Sequence, residues 1–477
     1  MDKKKDSKLT VKTALMNTVA NVISLVVGMV MVPIIARVLS EKDLGIASTF
    51  LATRNTLVIL ATLAVYAFVN RAMLDFEKEK KDYIFSITVF CIAMVGVIFL
   101  ISLPFREFLQ QALKLDDFLY YWLFISCLSF ALYSIGDYYC IFHNKSLIIF
   151  FIVLCCGPAA QFLSVGLALV MPQGKYIGRV LGLDATYVVV AVVLLVWLLF
   201  SGRHSFRRKY ITRTLKFTVP VIPHLLSQMV LTQCDLMMIT AMVGEAESGI
   251  YSMAHTVGFL AFTVMSQLMA AWSPWVYRRL SEGDTGSIRE NSGFMVLLGM
   301  YLTIGLLTIS PELIRIFLTE AYLPCIYIVP PLVLAMFFQF IYLFFYDLEY
   351  YYKKPQWIAC ASVAAAVLNL ILNFIFIPRF GYIAACYTTV ASYFVLLLLN
   401  YVFAGKLGAK QIYNMRLILA NSCCVILYMA LMFVFVDVIW VRYLILAVIT
   451  LLLFAFEAKK IAAVRKSLRG EKGTRDE

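Results

Sequence analysis

A chain of 477 residues that is 62% hydrophobic and only 14% charged is not a soluble globular protein, because soluble domains run about 45–50% apolar and about 25% charged. Folded in water it would expose faces that only lipid solvates. Its net charge of +13, from 41 Lys and Arg against 28 Asp and Glu, does not mark a nucleic-acid binder: the basic residues fall in short clusters between apolar runs, not on one soluble module.

The start, MDKKKDSKLTVK, is basic and leads into an apolar run at 14–36. That run is too long for the h-region of a signal peptide, so a retained first helix is expected. Crossing the hydrocarbon core takes about 20 mostly apolar residues. Thirteen further runs qualify, at 46–69, 83–104, 118–141, 147–171, 180–200, 218–242, 249–273, 292–310, 324–346, 357–377, 382–404, 415–436 and 439–457. Pro33, Pro158 and Pro223 fall inside or near the ends of runs, which membrane helices tolerate. With the N-terminus in the cytoplasm and alternating sides, 31 Lys and Arg lie in inner segments and 9 in outer ones, Arg54 being inside a helix. This positive-inside excess supports an even number of spans and two cytoplasmic termini. No connecting segment is long enough to hold a folded extramembrane domain of at least about 50 residues.

An internal echo divides the chain. Residues 36–48 (ARVLSEKDLGIAS) align without gaps on 240–252 (TAMVGEAESGIYS), matching Glu41 with Glu245, Gly45 with Gly249, Ile46 with Ile250 and Ser48 with Ser252. Six helices separate the copies. The expected fold is an all-α integral membrane protein of about 14 transmembrane helices, with two pseudo-symmetric six-helix lobes around a central cavity and two appended helices. The expected divisions are a basic N-terminus (1–13), an N-lobe (14–200), a cytoplasmic inter-lobe linker (201–217), a C-lobe (218–404), two further helices (405–457) and a basic tail (458–477).

Ionisable and amide side chains inside spans are costly and face a protein interior or a wet cavity. On helix 7, His224, Gln228, Thr232 and Asp235 stand at i, i+4, i+8 and i+11. On a regular helix they form one polar stripe, read as a cavity wall, with helix-to-helix hydrogen bonding as the alternative. On helix 2, Arg54 stands beside Asn55 at a depth matching that of Asp235. The expectation is that Arg54 and Asp235 face one cavity from the two lobes and pair when it is empty, Arg54 being released to an anionic substrate. A permanent structural ion pair between them is the alternative. Asn17 and Asn21, i and i+4 on helix 1, line the same cavity or act as packing contacts. Arg37 and Arg71 flank helix ends as candidate cavity-mouth residues. His255 in helix 8 is a candidate for ion coupling, against a hydrogen-bonded core role. Most of the eleven cysteines lie in apolar runs with no CxxC pair and no Cys/His spacing for a metal, so they read as small hydrophobes. No GxSxG, P-loop or HExxH motif is present, so no catalytic constellation and no cofactor are expected, beyond coupling to protons or sodium.

Five patches carry a family resemblance. ARVLSEKDLGIAS at 36–48 and VNR at 69–71 look like a first helix-to-helix loop and the end of a second helix. KFTVPVIPHLLSQMVLTQCDLMMITAMVGEAESGIYS at 216–252 is similar to the opening of a second lobe. AYLPCIYIVPPLVLAMFF at 321–338 fits a tenth helix, and LNFIFIPRFGYIAACYTTVASY at 372–393 carries an Ile-Pro-x-aromatic-Gly motif between helices 11 and 12. In their order these resemble the polysaccharide-export flippases of the MOP superfamily, related to MATE exporters and lipid II flippases. The chain departs from that pattern where it has Ala384, Ala385 and Cys386 in place of Gly-Ala-Ala, and Asp235-Leu236 in place of Asp-Arg. The resemblance implies movement of an undecaprenyl-pyrophosphate-type lipid-linked oligosaccharide from the inner to the outer leaflet of a bacterial cytoplasmic membrane, by alternating access, for surface polysaccharide biosynthesis. Its implied partners are that lipid-linked oligosaccharide, membrane lipids and other polysaccharide assembly proteins. The alternatives are a MATE-like drug/cation antiporter, whose cavity should be acidic and aromatic, and a membrane glycosyltransferase or polymerase, which needs larger loops or a catalytic domain.

Overall fold

The structure, a computed structural model, describes residues 3–76, 78–143, 145–201 and 205–451. Side chains up to 15 and at 17, 18, 21, 22, 70 and 146 lie outside that description, as does the tail expected over 458–477. Every membrane-crossing element is helical. The helices are α1 (Lys3–Val38), α2 (Glu41–Thr62), α3 (Lys80–Leu113), α4 (Asp117–Phe142), α5 (Leu147–Val170), α6 (Lys175–Phe200), α7 (Arg208–Met242), α8 (Glu245–Glu282), α9 (Thr285–Phe317), α10 (Cys325–Tyr351), α11 (Pro355–Phe380), α12 (Ile383–Gly405), α13 (Met415–Val434) and α14 (Ile439–Leu451). Among the described residues twelve of them, α2 to α13, are long and apolar enough to cross a membrane. The stretches Ile23–Val38 and Ile439–Leu451 are shorter apolar helices at the places of the first and fourteenth expected spans. The protein is a multi-pass membrane protein.

Local chemistry sets the helix ends. Ser40 accepts from the Asp43 amide at 3.1 Å to cap α2, Asp116 accepts from Leu119 at 2.7 Å to cap α4, and Asp284 accepts from Ser287 at 3.0 Å to cap α9. Gly283, at φ +75°, closes α8 in the left-handed region just ahead of that cap. Several helices overrun the apolar runs, because polar residues at their ends stay helical until a cap or turn stops them. The clearest case is α7. The segment expected as an inter-lobe linker (201–217) is helical from Arg208 onward and continuous with α7.

Helices α1–α6 form one lobe and α7–α12 the other. In the second lobe α10 is the central helix, packed by α8, α9, α11 and α12, and most of its side chains are buried. The appended pair is fixed to α9: Tyr428 of α13 hydrogen-bonds to Thr308, and the fully buried Arg442 of α14 donates to the Thr308 carbonyl at 2.6 Å and to Glu312. Arg442 is therefore a helix-packing residue.

The lobes meet along α2 and α8 at the residues that repeat. A Cβ on Gly45 would lie 1.7 Å from the Glu245 carbonyl oxygen, and one on Gly249 would lie 1.9 Å from that of Glu41. Ser48 and Ser252 share a hydrogen bond of 2.7 Å. The matched positions thus touch reciprocally, each glycine receiving the partner helix's backbone, as a pseudo-two-fold axis between the lobes requires. Thr49 extends the seam to Thr240 at 2.5 Å.

Candidate functional site

Below that seam lies a cavity of about 600 Å³ walled by α1, α2, α5, α6, α7 and α8. Its polar lining is Ser24, Ser48, Asn55, Gln161, Arg179, Thr232, Gln233, Ser252, His255, Thr256 and Thr263. Arg179 is the one charged residue among the lining side chains. It is buried, and its Nη1 donates to Gln161 Oε1 at 2.7 Å and to Ser164 Oγ at 2.5 Å. Among the described residues no carboxylate pairs with it. Its place follows from close packing of α5 on α6: Cβ atoms on Gly178 and Gly182 would collide with the α5 backbone at Ala168 and Ser164. The guanidinium is therefore held against α5 amide and hydroxyl oxygens, one face turned to the cavity.

Of the residues expected to line it, Asn55 and Thr232 do so, and His255, read as a candidate for ion coupling, lies at the wall as well. His255 is stacked on Phe259, ring centroids 5.5 Å apart. Asn17 and Asn21 are on α1, and their side chains lie outside the described set. Arg37 is exposed at the end of α1, and Arg71 is exposed on a short helix, 3.9 Å from Asp75. Neither lines the cavity.

The helix 7 stripe is split. Pro220 and Pro223 remove amide donors in the interior of α7, and a π turn runs over Val230–Cys234. An i→i+5 turn holds one residue more than an α turn, so side chains beyond it leave the 100° progression on which the stripe was drawn. His224 meets Ser362 of α11 at 2.9 Å, Gln228 turns a buried amide nitrogen to no partner, Thr232 reaches the cavity and Asp235 turns away from it. Asp235 is buried among Tyr251 (2.6 Å), Asn373 (2.6 Å) and Thr389 (2.6 Å), all donating to its carboxylate. This knot joins α7, α8, α11 and α12.

Arg54 does not pair with Asp235. It pairs with Asp184 of α6, inside its own lobe. Asp184 also accepts from Trp122 Nε1 at 3.0 Å, and the guanidinium lies 5.2 Å from the Phe130 ring centroid and 5.4 Å from that of Tyr187. Asn55 accepts from Arg54 Nη2 at 3.0 Å, so it links this buried ion pair to the cavity wall. The expectation of an inter-lobe pair fails because depth alone was compared. Arg54 lies behind Asn55, on the α4–α6 side of α2.

Sequence reasoning missed Arg179, Gln161, Gln233 and Asp184. Arg179 was counted as a loop residue because the apolar run begins at 180, whereas α6 begins at Lys175. Asp184 lay inside that run, and a carboxylate within a span was itself the signal.

The comparisons extend this picture. A family model described as "Polysaccharide biosynthesis protein" matches residues 10–280. No curated protein matches. Among solved structures, the fold is similar to that of the lipid II flippase MurJ in an inward closed conformation, at TM-score 0.73 and 14% identity, covering 94% of this chain and 99% of that one. It is also similar to an inward-facing multidrug resistance MATE family transporter of the MOP superfamily, at TM-score 0.63 and 11% identity, covering 81% of this chain and 95% of that one. With more than half its length matched, the chain belongs to the polysaccharide biosynthesis protein family, and its fold is the one these two solved structures share.

Proposed function

We propose that the protein is a flippase that carries a lipid-linked oligosaccharide with a phosphate or pyrophosphate head from the inner to the outer leaflet of the bacterial cytoplasmic membrane, both termini being cytoplasmic. Arg179 carries this reading. A buried guanidinium without a carboxylate partner, at the wall of an otherwise neutral polar cavity, attracts an anion and repels a cation. Oxygens of an anionic head would form charge-assisted hydrogen bonds to it, while Asn55, Gln161, Gln233 and the threonines suit sugar hydroxyls. The lipid tail stays in the bilayer. The cavity lies between the lobes and the α2–α8 seam closes it on the outer side, so transfer proceeds by rocking of one lobe against the other. Coupling to protons or sodium would engage His255, the imidazole at the cavity wall, or Asp235, the buried carboxylate behind it.

A MATE-like export of cationic drugs is the competing reading on the same fold, and the lone cation in the cavity opposes it. Reconstituted in proteoliposomes, the protein is expected to move a lipid-linked oligosaccharide between leaflets and to leave a cationic dye undisturbed. Dye extrusion against a proton or sodium gradient, without lipid transfer, would refute the proposal.

A further inference from the structure

A second cavity, of about 560 Å³, lies far from the first, among the ends of α9, α12 and α13 and the short helix Ala409–Ile412. It is lined by Arg289, Tyr401, Lys410, Asn414, Met415 and Arg416. Its three cations belong to segments that the charge asymmetry assigns to the inner side. Among the described residues none of the three is in an ion pair. The nearby acids are otherwise engaged: Glu282 and Asp284 each lie 3.2 Å from Arg279, and Asp284 also caps α9. Glu290 follows Arg289 directly, and adjacent helix positions do not face each other.

The site is built on a fixed floor. Tyr413 is fully buried and donates to the Phe344 carbonyl of α10 at 3.0 Å, and its ring packs edge-on against Phe344. Arg289 donates to the Gln411 carbonyl at 3.3 Å, which holds it at the rim. Lys410 stands 5.9 Å from the Tyr401 ring centroid. Asn414 caps α13 by accepting from Leu417 at 3.3 Å, so the positive end of a 20-residue helix opens on the same space.

Its level relative to the bilayer can also be read. Trp357 lies between Lys354 and Lys406, at 5.6 and 5.9 Å from its ring centroids, on neighbouring helix ends. Tryptophan and tyrosine rings paired with lysines mark the headgroup layer. The cavity therefore opens at the depth of lipid phosphates, where a basic pocket between transmembrane helices selects anionic headgroups.

We propose that this cavity binds the phosphate headgroup of an anionic phospholipid of the inner leaflet, clasping α13 to the C-lobe. This does not depend on what the central cavity carries. The test uses the full chain in micelles of mixed phosphatidylglycerol and phosphatidylcholine, with retained lipids counted by native mass spectrometry. Wild type is expected to keep phosphatidylglycerol selectively. Arg416→Gln should lower the retained fraction about fivefold, and further neutralisation of Arg289 and Lys410 to Gln should lower it about fivefold each. Excess inorganic phosphate should leave the bound lipid in place. Variants that elute as wild type yet retain phosphatidylglycerol equally would overturn the proposal, and so would displacement of the lipid by inorganic phosphate, which would make the ligand a soluble anion. Should the triple variant not fold, the single substitutions decide.

Discussion

Two buried arginines in one lobe have different circumstances. Arg54 is neutralised by Asp184 and boxed by Trp122, Phe130 and Tyr187. Removing one member of such a pair leaves an uncompensated buried charge, which costs about 3–5 kcal/mol. Arg54→Ala is therefore expected to lose folded yield, read by size-exclusion chromatography and thermal unfolding. Arg54→Met combined with Asp184→Leu should recover most of it, whereas no recovery in the double variant would show that the unpaired Asp184 charge is not the cause of the loss. Arg179 has only neutral oxygens around it, so its substitution should leave folding intact and act on transport. Asp235→Asn keeps the volume but exchanges an acceptor for a donor beside Tyr251, Asn373 and Thr389. It should lower thermal stability by about 1–3 kcal/mol per donor left unsatisfied, and a variant as stable as wild type would show that the knot holds nothing together.

The helices were legible from the sequence because crossing hydrocarbon demands long apolar runs, and that demand fixed their number and order. Their ends were less so. The first turn of α6 and the inner part of α7 are polar enough to read as loop, yet both are helical. Turning the periodicity of α7 into a cavity wall required a regular helix, and Pro220, Pro223 and the π turn at Val230–Cys234 removed that regularity. The inner part of α7 also docks on the first lobe: Glu79 accepts from Arg207 at 3.0 Å, Lys209 at 2.5 Å and Tyr210 at 2.7 Å. The bonds from Lys209 and Tyr210 hold the Glu79 carboxyl below its ordinary 4.5. A depressed carboxylate stabilises the docked state above the unfolded pKa, and that contribution is lost as pH falls through the folded one. Hydrogen exchange over 208–218 should thus be unchanged between pH 7 and 5 after correction for intrinsic rates. It should rise only as pH drops below about 4.5. Glu79→Gln should remove that acid sensitivity, and a variant that keeps it would place the titrating group elsewhere.

At the scale of the whole molecule, the repeat of 36–48 on 240–252 became the contact between lobes, with Gly45 against Glu245 and Gly249 against Glu41. The rocking proposed above would part α2 from α8. Cysteines at Ser48 and Ser252, whose hydroxyls are 2.7 Å apart, should join under mild oxidant and stop transport, with reductant restoring it. Continued transport by the cross-linked protein would rule out separation along this seam. The central claim is that an anionic lipid-linked head passes Arg179. Its most direct test is the rate of leaflet transfer of a lipid-linked oligosaccharide in proteoliposomes, wild type against Arg179→Gln at equal reconstitution. Loss of a charged hydrogen-bonding partner predicts a fall of about 10- to 100-fold. An unchanged rate in the variant would contradict the account.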